Sequence, residues 1–260
     1  MLDFLNQNYI YFFILPLVAF LAGFIDSIVG GGGLVQVPSL FILFPTFPVP
    51  MVIGSNRFAS FMGTSVAAYQ YAKKVSIPWK TVLCAGIGTA IFAYLGAELS
   101  SFVSAKILKP IVLILMSVIA IYTFIKKDLG GQEKFKVANI LAWSFLIGMM
   151  MGFYNGFVGP GTGSLLVFGF VSIIGYNFLT GSAISKFVNV IADVSSLFFF
   201  VLNDFVNYKV ALPMMIFNML GSYIGSRLAI LKGNEFVRIL FLVVVGALIL
   251  RFAYDIWRTL

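Results

Sequence analysis

Two glycine clusters interrupt long apolar runs at matching places in the two halves of the chain. The first reads Gly23-Phe24-Ile25-Asp26-Ser27-Ile28-Val29-Gly30-Gly31-Gly32-Gly33, and the second Gly152-Phe153-Tyr154-Asn155-Gly156-Phe157-Val158-Gly159-Pro160-Gly161-Thr162-Gly163. Hydrophobic residues make up 61% of the chain and charged residues 10%, with Phe alone occurring 29 times. One soluble core of this length cannot hide so much apolar surface, so lipid is the expected solvent. Within lipid, unwound backbone is tolerated only where it is buried in protein or lines a cavity. Broken hydrophobic segments in corresponding positions of two halves therefore point to a transport site.

The apolar runs fall at 9–29, 34–44, 52–72, 78–97 and 107–125, then at 138–158, 164–176, 179–202, 210–230 and 236–256. Most are near the roughly 20 residues of a spanning helix. The runs 34–44 and 164–176 would rise only about 16–20 Å as helix, and each follows a glycine cluster. The fold expected is an all-α polytopic membrane protein of two repeats, with about eight full transmembrane helices plus two short broken or re-entrant segments. Repeat 1 is placed at 1–125, a linker at 126–136 and repeat 2 at 137–260.

The halves align without a gap at the offset that carries Gly23 to Gly152. Gly30 then meets Gly159, Gly32 meets Gly161, Tyr94 meets Tyr223, Gly96 meets Gly225 and Arg57 meets Lys186. The orientation of the repeats stays open. Short segments that do not cross give four spans per half and parallel repeats, whereas crossing segments give five and inverted repeats. The net charge of +8 reads as a topology signal and not as a nucleic-acid footprint, because the basic residues lie mainly between apolar runs. The linker, with Lys126, Lys127, Lys134 and Lys136, is expected to be cytoplasmic, as is the loop with Lys73, Lys74 and Lys80. The N-terminus has no basic residue before its first apolar run and reads as a first span.

The chain has no His and one cysteine, Cys84. That removes Ser-His and Cys-His nucleophiles, His-ligated zinc and intrachain disulfides. No enzyme activity, catalytic residue, cofactor or metal site is expected.

Glycine allows a sharp turn and close approach of backbone to a ligand. A helix starting after such a turn presents unpaired N–H groups and the positive end of its dipole, which together make an anion site. Gly30, Gly31, Gly32, Gly33, Gly159, Gly161, Thr162 and Gly163 are the binding candidates from the clusters, and close helix packing is the plain alternative. Arg57, with its neighbour Asn56, and Lys186 lie at the same point of their repeats inside apolar runs, where an ionisable side chain usually marks a pathway or ligand. Snorkelling to the interface is the alternative. Asp26 and Asp193 are the intramembrane acids, able to carry a proton or to form a structural pair such as Asp26 with Arg57. Neutral polar groups that fill out the site include Ser27, Gln36, Ser60, Thr64, Asn155, Ser164, Ser185 and Asn189.

The run from Gly23 through Gly33 to Leu34-Val35-Gln36-Val37-Pro38 closely resembles the first signature of the TauE/SafE family, described as sulfite exporters and as toluene-sulfonate uptake permeases. Gly54-Ser55-Asn56-Arg57-Phe58 looks like the segment opening the next helix, and Gly152 to Gly163 is similar to the second signature. The resemblance covers nearly all of the chain. It implies sulfur-containing organic and inorganic anions as substrates, so the protein is expected to be a secondary transporter of a small anion, sulfite or an organosulfonate first, working by alternating access in the cytoplasmic membrane of a prokaryote. Where a proline often follows the second signature, this chain has Val167 and Phe168, so the second half-helix is expected to differ in shape. An anion channel and a non-transporting scaffold or assembly protein are the alternatives. The expected partners are a small anion and the lipid bilayer, with a homodimer left open and nucleic acid excluded.

Overall fold

The computed structural model describes residues 13–100, 132–135 and 137–259, and every regular element among them is a helix. In chain order these are α1 (Leu15–Val29), α2 (Gly32–Leu43), α3 (Val49–Lys74), α4 (Trp79–Ser100), α5 (Ile140–Phe157), α6 (Thr162–Phe168) with a π-helical continuation (Gly169–Ile174), α7 (Phe178–Leu202) and α8 (Tyr208–Thr259). Four of them are long and apolar enough to cross a membrane: α4, α5, α7 and Tyr208–Val243 of α8. α3 has the length, at 26 residues, but its polar residues keep it outside that group. The expected span 107–125 and most of the linker lie outside the described residues.

The glycine clusters break helices as expected. Gly30 ends α1 in the left-handed region (φ 80°), with its N–H donating to the Asp26 carbonyl at 2.8 Å. This closes one helix and redirects the chain into the next. In the second cluster Gly159 and Gly161 both take φ 88°, with Pro160 between them unable to continue a helix. Each break makes a helical hairpin. Leu15 and Ala19 of α1 pack with Val37 and Leu40 of α2, and Ile147 of α5 packs with Leu166, Phe170 and Ile174 of the returning arm. Runs 9–29 and 138–158 each form the first arm of a returning pair, and α5, within the second of them, is by itself long and apolar enough to cross. The returning arms also differ: α2 runs through Pro38 as one α-helix, whereas α6 gives way to a π-helical turn at Gly169.

α3 and α7 are antiparallel. The N-terminal part of α3 meets the C-terminal end of α7, where Gly54 lies against Phe205 and the Asn207 amide donates to Ser55 Oγ at 2.9 Å. At the opposite end, Lys74 at the end of α3 and Leu179 and Thr180 at the start of α7 line one cavity of about 470 Å³, together with Glu133 of the linker. The linker and the Lys73–Lys80 loop therefore share an end. Because α2 feeds the start of α3 and α6 feeds the start of α7, the two hairpins enter from opposite ends.

Small residues let the hairpins pack closely. A Cβ on Gly152 would come within 2.7 Å of Thr89 Cα, and one on Gly23 within 2.9 Å of Asn218 Cα. These two contacts, α5 on α4 and α1 on α8, interchange under the offset read from the sequence. The outward faces of α4 and α8 expose Leu83, Ile87, Ile91, Ile216 and Leu220, while polar side chains are buried inside. That is the distribution expected with lipid as solvent. The runs 210–230 and 236–256 join in α8 across a kink at Gly233.

Candidate functional site

The two glycine turns lie against each other. Gly30 and Gly163 touch backbone to backbone, so a Cβ on either would overlap the other. The Ser164 amide donates to the Gly30 carbonyl at 3.0 Å, and Ser164 Oγ donates to the Val29 carbonyl at 3.0 Å. A Cβ on Gly33 would sit 3.3 Å from Pro160 Cα. The close-packing alternative therefore holds for Gly30 and Gly163, which bring two unwound segments together.

Around this contact lie two ion pairs, each joining one half of the chain to the other. Arg57 of α3 donates through Nη1 to Asp193 Oδ1 of α7 at 2.8 Å, and through Nη2 to the Asn155 carbonyl near the end of α5. Lys186 of α7 donates to the Asp26 carbonyl near the end of α1 and lies 3.7 Å from Asp26 Oδ2. All four side chains are buried, Lys186 completely. The suggested pairing of Asp26 with Arg57 is corrected: Asp26 serves Lys186, and Arg57 takes Asp193. The snorkelling alternative fails too, because both cations are held in the interior. Both also sit at carbonyl ends of broken helices, where the dipole favours positive charge, and not at the N-termini that follow.

The acids differ in their attachments. Asp26 accepts from the Gly32 amide at 3.4 Å through Oδ1 and from Thr64 Oγ1 at 3.2 Å through Oδ2. Asp193 accepts from Arg57 and, at 3.4 Å, from Asn155 Nδ2, both through Oδ1. Asn155 Nδ2 also donates to Asn189 Oδ1 at 3.1 Å. Asp26 aligns in the repeat comparison with Asn155, and Asp193 with Thr64. One carboxylate per half is kept, but it stands on the hairpin in one half and on the long helix in the other.

The expected row of free amides is narrower than the glycines suggested. Gly32 is taken by Asp26, Thr162 by the Gly159 carbonyl at 3.2 Å, and Ser164 by Gly30. The amides of Gly31, Gly33 and Gly163 have no acceptor among the described residues. Thr162 Oγ1 also donates to the Gly159 carbonyl at 2.6 Å, so its hydroxyl braces the turn. Gly161 is the left-handed N-cap of α6, and Gly159 leaves room for the Arg57 guanidinium, which a Cβ there would strike. Arg57 Nε, Asn56 Oδ1, Asn155 Oδ1 and Gln36 Nε2 are buried without a hydrogen-bond partner among the described residues.

Several groups that hold the turns were not singled out from the sequence as site residues. Tyr71 donates to the Ser27 carbonyl at 3.2 Å, Tyr154 to the Pro160 carbonyl at 2.9 Å and Ser182 to the Ile28 carbonyl at 3.1 Å. Asn218 Nδ2 donates to Gln36 Oε1 at 3.1 Å. Their only sequence signal was polarity within an apolar run.

Comparison with known proteins agrees with this architecture. Residues 15–252 match the family described as Sulfite exporter TauE/SafE. A protein of Sinorhizobium sp. named as a probable membrane transporter is 34% identical over 91% of this chain and 90% of its own length. Others so named, from Haemophilus influenzae (28% identical) and Escherichia coli (29%), each align with 93% of this chain and with 94% and 89% of their own. No solved structure matches the chain. The relatives carry transporter names, which is consistent with a protein that is not an enzyme. Together with the apolar helices they support a multi-pass membrane protein with a transport function. The chain belongs to the TauE/SafE family.

Proposed function

We propose that the protein is a secondary transporter of the cytoplasmic membrane that moves a small anion, sulfite or an organosulfonate first among them. Its working parts are two repeats in inverted orientation, each comprising one re-entrant hairpin and three crossing helices. An odd number of crossings per half requires inversion, and the antiparallel course of α3 and α7 supports it. The third crossing of each half is read from the sequence alone, at the apolar runs 107–125 and 236–256. The basic linker, sharing an end with Lys73, Lys74 and Lys80, assigns that end to the cytoplasm.

The observation that carries the reading is the exchange of cations between halves, Arg57 to the α5 end and Lys186 to the α1 end. Around the two touching segments lie two positive side chains at the ends of the broken helices, unpaired amides at Gly31, Gly33 and Gly163, and the unpartnered Nε of Arg57. Such donors suit an oxyanion. Rocking one hairpin and its helices against the other around this contact would expose the site to each face in turn. The family description and the first-signature resemblance supply the sulfur-anion class.

The test is exchange of labelled sulfite and p-toluenesulfonate by the purified protein in proteoliposomes. Saturable exchange is expected. Arg57→Lys keeps the countercharge of Asp193 but loses the two-pronged donor, so it should slow exchange about tenfold, the worth of one charged hydrogen bond. Flux that never saturates would make the protein a channel. No exchange of any sulfur anion by folded protein would favour the scaffold alternative.

A further inference from the structure

Among the described residues the buried charged side chains are Asp26, Arg57, Lys186 and Asp193, two acids and two bases. Together they are neutral. A bare monoanion placed among them would leave one uncompensated charge in the interior, at heavy desolvation cost. An anion can be carried there cheaply only with a cation.

The acids are not equally free to supply it. Asp26 uses both oxygens, one on the Gly32 amide at the hairpin turn and the other on Thr64 and Lys186. Protonating it would loosen the turn itself. The hydrogen bonds of Asp193 to Arg57 and Asn155 both fall on Oδ1, so a proton on Oδ2 leaves the Asn155 bond in place and cancels only the attraction to Arg57. The tyrosines near the turns, Tyr71 on α3 and Tyr154 on α5, donate to backbone carbonyls and not to either carboxylate.

Building on the anion-transport reading, we propose that Asp193 binds one proton for each monovalent anion carried, and that Arg57 passes from Asp193 to the substrate as it does so. Asp26 stays ionised as the countercharge of Lys186. The loaded site holds two cations, one carboxylate and one anion, and is again neutral. Transport is then electroneutral, driven by a pH gradient and indifferent to membrane potential.

Proteoliposomes and labelled p-toluenesulfonate, a monoanion throughout the working pH range, test this in two steps. Exchange at equal pH and zero potential examines the anion reading alone. Net uptake is then measured with a one-unit pH gradient, acid outside and potential clamped, and again with an imposed potential at equal pH. The expected result is about tenfold accumulation from the pH gradient and none from the potential. Exchange in Asp193→Asn should lose its dependence on pH and the gradient should no longer drive accumulation, whereas Asp193→Glu should keep coupling. Should Asp193→Asn fail to fold, the wild-type and Asp193→Glu measurements still decide. Exchange whose net uptake follows potential and ignores pH overturns the coupling and leaves the anion reading standing. No exchange by folded protein ends both.

Discussion

Arg57 shows how one side chain can hold several parts of the structure together while being the donor proposed to meet the anion. It neutralises Asp193, caps a carbonyl of the broken α5 and leaves Nε buried without a hydrogen-bond partner among the described residues. Gly159 makes this arrangement fit, because it provides a left-handed turn (φ 88°) and no Cβ where the guanidinium lies. Removing one partner of a buried pair strands the other charge, at a typical cost of about 3–5 kcal/mol. Arg57→Gln should therefore lower the unfolding midpoint in detergent strongly, and Arg57→Gln with Asp193→Asn should recover much of the loss. A double variant as unstable as the single would show that the guanidinium acts through packing and not through charge.

At the scale of elements, the hairpins rather than the long helices define the protein. α1–α2 and α5–α6 each turn back at a glycine break and each lead into a long helix, and those two helices run in opposite directions. Topology follows directly. In a Cys84→Ala background, Thr46→Cys after α2 and Asp204→Cys after α7 should react with a membrane-impermeant maleimide from one face. Ser76→Cys after α3 and Gln132→Cys in the linker should react from the other. All four positions are exposed. Labelling of Thr46→Cys and Ser76→Cys from the same face would rule out the inverted arrangement. The hairpins are not copies in detail, since α2 accommodates Pro38 while its counterpart, with Val167 in that place, passes into a π-helical turn. π-Helical turns often occur at functional positions in helices.

At the scale of the whole molecule, the helical membrane class, the two breaks and the pairing of Arg57 with Lys186 were legible in the sequence because each is a local property repeated at a fixed offset. Which residues those cations meet was not. Arg57 finds Asp193 and the Asn155 carbonyl, and Lys186 finds Asp26, because α3 and α7 are antiparallel, and the sequence left the orientation of the repeats open. The glycines likewise announced a turn but not its neighbour, since contact of Gly30 with Gly163 depends on tertiary packing. The central claim is that these two turns meet on the transport path. A Cβ on Gly33 would lie 3.8 Å from Pro160 Cβ, a separation suited to a disulfide. Gly33→Cys with Pro160→Cys, made in the Cys84→Ala background, should cross-link within one chain under mild oxidant, stop exchange of labelled p-toluenesulfonate, and regain it on reduction. Failure to cross-link, or undiminished exchange by the cross-linked protein, would contradict the account.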